Sequence, residues 1–98
     1  MALRQYTLTM TGAAVRAPVG ASGRPTPFSF VRVESEAGND PVRFGTDDIS
    51  NTDYAGTIRP GSGYAVTIGP MPHGVMIMDH FYFLGTSGDV IHLMVITP

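Results

Sequence analysis

The 98-residue chain contains no cysteine, no lysine and no tryptophan. Without cysteine there is no disulfide framework and no thiolate metal site, and cysteine usage gives no indication of compartment. Without lysine, all positive side-chain charge is arginine: Arg4, Arg16, Arg24, Arg32, Arg43 and Arg59. Guanidinium is more weakly hydrated than ammonium and forks onto carboxylates and carbonyls, which suits interfaces; high genomic GC content produces the same bias. Charge of either sign is scarce. Charged residues are 14% of the chain and hydrophobic residues 43%, where about 25% charged is usual for soluble domains. A net charge of −2 with dispersed arginines argues against the concentrated positive field of a sequence-independent nucleic-acid binder. No run approaches the ~18 apolar residues of a membrane-spanning helix. The opening MALRQY lacks the apolar region of a signal peptide, so the expectation is a soluble chain without a leader.

Room for long helices is missing too. Twelve glycines and eight prolines are spread along the whole chain, and both residue types are costly inside a helix. Between them lie short runs rich in Val, Ile, Thr, Tyr and Phe, which read as strands. In residues 5–11, Tyr6, Leu8 and Met10 alternate with Thr7, Thr9 and Thr11, which predicts an apolar side turned inward and threonines turned outward. Further strands are expected at 28–35, at 64–68 with Tyr64, Val66 and Ile68 on one face, and at 75–78, 80–84 and 90–97, with shorter segments at 42–44 and 57–58. The turn GTSGD at 85–89 predicts a hairpin between the last two strands. The expected fold class is all-β: one small antiparallel β-sandwich spanning 1–98, jelly-roll-like or closed as a small barrel. A flexible N-terminal segment and a flexible loop around 15–27, containing RAPVGASGRPTP, are expected to flank its first strand.

Constellations for chemistry are weak. His73, His80 and His92 invite a metal or catalytic reading, and the predicted hairpin would bring His80 near His92 with Asp79 and Asp89 beside them. A metal site needs three or four converging donors, and nothing in the spacing fixes convergence. Asp47, Asp48 and Asp53 cluster in GTDDISNTD, but without the alternating ligands and closing glutamate of an EF-hand; Asx-turns are the ordinary explanation. GTSGD lacks the spacing of a serine nucleophile elbow, and GASGRP opens no helix that would hold phosphate. Tyr6, Phe28, Phe30, Tyr64, Phe81 and Phe83 read as core, and Tyr54 and Tyr82 as partly exposed. Met71, Met76, Met78 and Met94 suit either core filling or an adaptable contact surface. No catalytic residue, metal ligand or cofactor is assigned.

The final strand, VIHLMVIT, carries apolar residues in both parities: Val90, Met94 and Ile96 around His92 in one, Ile91, Leu93 and Val95 in the other. One set is expected in the sandwich core. The other, taken to be Ile91, Leu93 and Val95, needs a covering loop of this chain or a surface of another, and another subunit is the expectation.

Residues 42–97 also resemble a layout of small β-rich virion proteins of tailed bacteriophages. Val42-Arg43 and Gly45 match a V-R-x-G strand end, Arg59-Pro60-Gly61 an R-P-G turn, and Phe81 to Val90 an aromatic strand followed by G-x-S-G-D-V. These motifs set turns and strands, so no catalytic residues carry over. The resemblance implies a capsid decoration (cement) protein or a minor head or tail component, located in the virion after assembly in the host cytoplasm. Its implied partners are the major capsid protein or another virion protein and further copies of itself, a trimer being one form. On this reading Leu3, Arg4, Arg16 and Arg24 join Ile91, Leu93 and Val95 as contact residues. The alternative reading is a carbohydrate-binding or host-attachment sandwich, with exposed aromatics beside Asp and Asn.

Overall fold

The computed structural model describes residues 2–17, 27–69, 76–77 and 80–97. Its strands are β1 (Ala2–Thr9), β2 (Val15–Arg16), β3 (Pro27–Phe28), β4 (Phe30–Ser35), β5 (Val42–Gly45), β6 (Gly56–Ile58), β7 (Val66–Ile68), β8 (Met76–Ile77), β9 (Tyr82–Leu84) and β10 (Val90–Thr97), with a 3-10 turn at Ser62–Tyr64. The protein is all-β. Two four-stranded antiparallel sheets, ordered β1-β10-β4-β7 and β2-β9-β5-β6, enclose the core, and β3 pairs with β8 separately.

The pairings are nested. β5 pairs with β6, β4 with β7, β3 with β8, β2 with β9 and β1 with β10. The chain is therefore one long hairpin that turns at residues 46–55 and is rolled over on itself. The rolling is held by two added pairings, β10 with β4 and β9 with β5. The outermost pair joins Ala2 to Thr97 and Thr9 to Val90.

Two expectations fail here. The predicted loose N-terminal segment is instead β1, paired along its whole length with β10; its Tyr6/Leu8 parity supplies an apolar row that packs against the core. The predicted β9–β10 hairpin does not form, because β9 and β10 lie in different sheets. In the turn closed by Asp89 N–H to Thr86 C=O at 3.0 Å, only its third residue, Gly88, has positive φ (93°). Two-residue hairpin turns need positive φ at the second residue, so this turn carries the chain from one sheet to the other.

The core consists of Val31, Val33, Ile91, Leu93 and Val95 from one sheet and Val42, Ile58 and Phe83 from the other, together with Met10, Ala17 and Phe28. Phe28 meets the Phe81 ring edge-on, with centroids 5.5 Å apart. The space lined by Val31, Val33, Phe44, Val66, Ile68, Phe81 and Phe83 is only about 10 Å³, at the lower limit for one water. Among the described residues, this part of the gap between the sheets is filled by side chains and leaves no room for a ligand.

Two local devices hold the roll. Gly56 lies opposite Phe44 on the neighbouring strand, and a Cβ at Gly56 would sit 2.5 Å from the Phe44 ring; the ring occupies the place of the missing side chain. At one end, Asn39 clasps β4 to β10. Its amide Nδ2 donates to Ser35 Oγ (2.7 Å) and to the Val90 carbonyl (2.6 Å), and its Oδ1 accepts from Val90 N–H at 3.4 Å. Ser35 is fully buried, so this amide satisfies a polar group that water cannot reach. Asp40 extends the clasp, donating its N–H to Asp89 Oδ2 and accepting from Thr86 Oγ1, both at 2.9 Å.

Replacing Gly56→Ala is expected to destabilise the chain by about 1–3 kcal/mol through overpacking, read as a shifted urea midpoint with unchanged slope. Asn39→Ala is expected to cost a similar ~1–3 kcal/mol by leaving Ser35 Oγ and the Val90 N–H unpaired; a midpoint equal to wild type would contradict the clasp.

Candidate interaction face

The parity of β10 decides which surface is available. β10 is an inner strand, flanked by β1 and β4. Ile91, Leu93 and Val95 are in register with Leu8, Tyr6 and Arg4 on one side and with Ser35, Val33 and Val31 on the other. These three residues are 0%, 2% and 0% exposed. The expectation that they meet another subunit is corrected: the chain's own second sheet covers them. The outward parity is Val90, His92, Met94 and Ile96. Because both parities are apolar, the sequence pattern could not distinguish them, and only the register with β1 and β4 does.

The outward face of this sheet has two unlike halves. Leu3, Ile96 and Phe30 lie in one row across β1, β10 and β4, and Gln5, Met94 and Arg32 in the next. Ile96, Phe30 and Met94 are half-buried, whereas Leu3 is 68% exposed. The second face of the final strand is thus only partly covered. Towards the other end the face is polar and internally paired. His92 lies between Thr7 Oγ1 (3.3 Å from Nδ1) and Glu36 Oε2 (3.0 Å from Nε2), and Arg32 donates to Glu34 at 2.8 Å. Pairs this exposed contribute about 0–1 kcal/mol each, so they orient the side chains without fixing the fold. A shallow open depression runs beside Leu3, Gln5, Thr7, Arg32, His92 and Met94.

The other expected contact residues do not form one surface. Leu3 and Arg4 are exposed on β1, and Arg16 is exposed on β2, at the edge of the other sheet. Arg24 lies outside the described residues. Arg43 points outward from β5, where its guanidinium is 4.9 Å from the centre of the Tyr54 ring and Nη1 donates to Asn51 Oδ1 at 3.4 Å. That contact folds residues 46–55 back towards the sheet. Ser50, not an aspartate, organises this loop, with its Oγ accepting from the N–H groups of Thr52 (3.3 Å) and Asp53 (3.0 Å).

The histidine expectation also changes. His92 is on the outer face of the first sheet, while His80 lines an open depression with Thr46, Asp47 and Tyr82. His73 and Asp79 lie outside the described residues, and the Asp89 carboxylate is engaged by Asp40 N–H. Among the described residues, no three His, Asp or Glu side chains converge as a metal ion would require. Tyr54 is exposed and Tyr82 half-buried, as expected. Tyr64 departs from expectation: it ends the 3-10 turn and is 58% exposed rather than inward.

The fold and this face define a small two-sheet module with a broad mixed surface and a filled interior. No family model, curated protein or solved structure matches the chain.

Leu93→Thr is expected to destabilise the isolated chain by about 3 kcal/mol or more through cavity formation and hydroxyl burial. Met94→Thr, one residue along and outward, should change stability by no more than about 1 kcal/mol. Equal midpoints in urea for the two variants would contradict the assigned parity.

Proposed function

We propose that the chain is a non-enzymatic structural protein of a tailed-bacteriophage virion, a capsid decoration protein or a minor head or tail component that binds and stabilises the particle. The observation that carries this reading is the nested strand order. With β3 and β8 set aside as a separate pair, the remaining eight strands run 1-8-3-6 in one sheet and 2-7-4-5 in the other. That order is consistent with a jelly roll, an architecture found in viral capsid and lectin domains. Fold alone does not specify function, and three further features support the assignment. The space between the sheets is filled, the outer face of β1, β10 and β4 exposes Leu3 beside half-buried Phe30, Met94 and Ile96, and charge is sparse. Such a surface is suited to holding a neighbour in place. The major capsid protein or another virion protein is the proposed partner, and the virion the proposed location.

A second reading, a carbohydrate-binding or host-attachment module, is favoured by one observation. Tyr54 is 42% exposed and stacked on Arg43, within a loop that also carries Asn51 and Asp53. Aromatic faces beside polar side chains suit sugar rings. A glycan array showing no binding at high protein concentration removes this reading.

The virion proposal is tested on particles with and without the protein. Particles lacking it should assemble yet release their genome at lower temperature, and added protein should restore the difference. Equal thermal stability, together with absence of the protein from purified particles, would overturn the proposal.

A further inference from the structure

Among the described residues, the two four-stranded sheets have four edges, of which three are short: β2 has two residues, and β6 and β7 have three each. Brevity is one of the ways natural sheets keep an edge from recruiting another strand. The fourth edge, β1, has eight residues, Ala2–Thr9. It contains no proline and no lysine, two residues that commonly blunt an edge, and its single charged residue is Arg4.

The hydrogen-bond phase of this edge can be assigned. Met10 N–H donates to the Asp89 carbonyl at 2.7 Å, and Glu36 N–H donates to the Val90 carbonyl on the far side of β10. Bonded and non-bonded pairs alternate along an antiparallel ladder, so the even residues of β1 exchange bonds with β10. The odd residues, Leu3, Gln5, Thr7 and Thr9, turn their N–H and C=O groups to the free side. All four have uncharged side chains, and all four are exposed.

We propose that β1 pairs antiparallel with β1 of a second copy of this chain about a two-fold axis at Gln5, joining two four-stranded sheets into one of eight. A two-fold perpendicular to the sheet keeps outward residues outward, so odd positions must face odd positions. With Gln5 on the axis, Gln5 faces Gln5 of the second copy and can exchange amide hydrogen bonds. Leu3 faces Thr7 of the second copy. Arg4, whose guanidinium makes no hydrogen bond or ion pair among the described residues, faces the ring of Tyr6 of the second copy, a cation–π pairing formed twice by symmetry. One pairing step away, with Tyr6 on the axis, Arg4 would face Leu8 and the match is lost. The strand supplies both halves of each contact, and no like charges oppose one another. These features select a second copy over a foreign strand. The inference does not depend on the virion reading, since it concerns the chain in solution.

The test is molar mass by sedimentation equilibrium across a concentration series. The wild type should reach twice the chain mass. Thr7→Pro removes an N–H that faces solvent and leaves the β1–β10 ladder intact; it should weaken association about tenfold or more, as expected for two lost hydrogen bonds per dimer. Gln5→Lys, which places two ammonium groups together on the axis, should do the same without altering the backbone. Thr57→Lys on the edge strand β6 should leave association unchanged. Circular dichroism establishes that each variant is folded. Because the chain has no native cysteine, Gln5→Cys gives a single thiol that a short bis-maleimide should couple across the axis. In this register two Thr9→Cys thiols would be about 27 Å apart and should not couple. A wild type that remains monomeric or forms trimers would overturn the proposal, as would folded Thr7→Pro and Gln5→Lys variants that associate normally, or Thr9→Cys coupling as fast as Gln5→Cys. No particle enters any of these readouts, so failure here is distinguishable from failure to bind a virion.

Discussion

The structure depends on the pairing of the chain's two ends. β1 and β10 form the outermost turn of the roll, with residue 2 opposite residue 97, and β10 then passes the register on to β4. Every inward residue of the first sheet takes its orientation from that alignment: slip it by one residue and Ile91, Leu93 and Val95 exchange faces with His92, Met94 and Ile96. The cost is kinetic. Nearly the whole chain must close as a loop before these contacts form, and topologies dominated by such distant pairs fold slowly. The Asn39 clasp and the Phe44–Gly56 fit are more local, and they secure strands that the long-range pairing has already brought together.

How much of this was legible in the sequence depended on whether a segment's two faces differed. In β1 and the residue after it, the alternation of Tyr6, Leu8 and Met10 with threonines marked the inner side unambiguously, and the all-β class followed from the density of glycine, proline and β-branched runs. In β10 both parities are apolar, so composition could locate the strand without orienting it, and the buried set was assigned to a contact. GTSGD marked a turn correctly, but a turn does not say whether its flanking strands share a sheet; the sign of φ at Ser87 and Gly88 decides that, and it is not written in the residue names. Tyr64 carried the signature of a strand residue and was displaced into a 3-10 turn. Ser35 and Asn39 gave no signal at all, because a side-chain amide that bonds both Val90 N–H and C=O depends on where distant Val90 arrives.

The functional reading rests on what lies outside the core. Among the described residues the interior is filled, and the polar groups that first suggested chemistry are separated: His92 among Thr7 and Glu36, His80 beside Asp47 and Tyr82, Asp89 in the clasp. What remains is surface, namely an outer face that shades from Leu3, Phe30 and Ile96 into paired charges, and a long edge whose backbone groups point away from the molecule. Both lie on β1 and its neighbours. A chain without lysine has not placed ammonium groups where they would keep such an edge apart from others. Low charge, which composition alone left open to interpretation, thus has a structural counterpart on the strand where it matters most.

The central claim is that the N-terminal residues are a strand of the fold, locked to the C-terminal strand in one register. Residue-resolved amide hydrogen exchange at low protein concentration tests it most directly. The account predicts slow exchange at Tyr6 and Leu8, whose N–H groups face β10, with protection comparable to that of Leu93 and Val95, and fast exchange at Gln5 and Thr7, whose N–H groups face solvent. Uniformly fast exchange from residue 2 to residue 9, with β10 still protected, would show a free N-terminal arm and contradict the account.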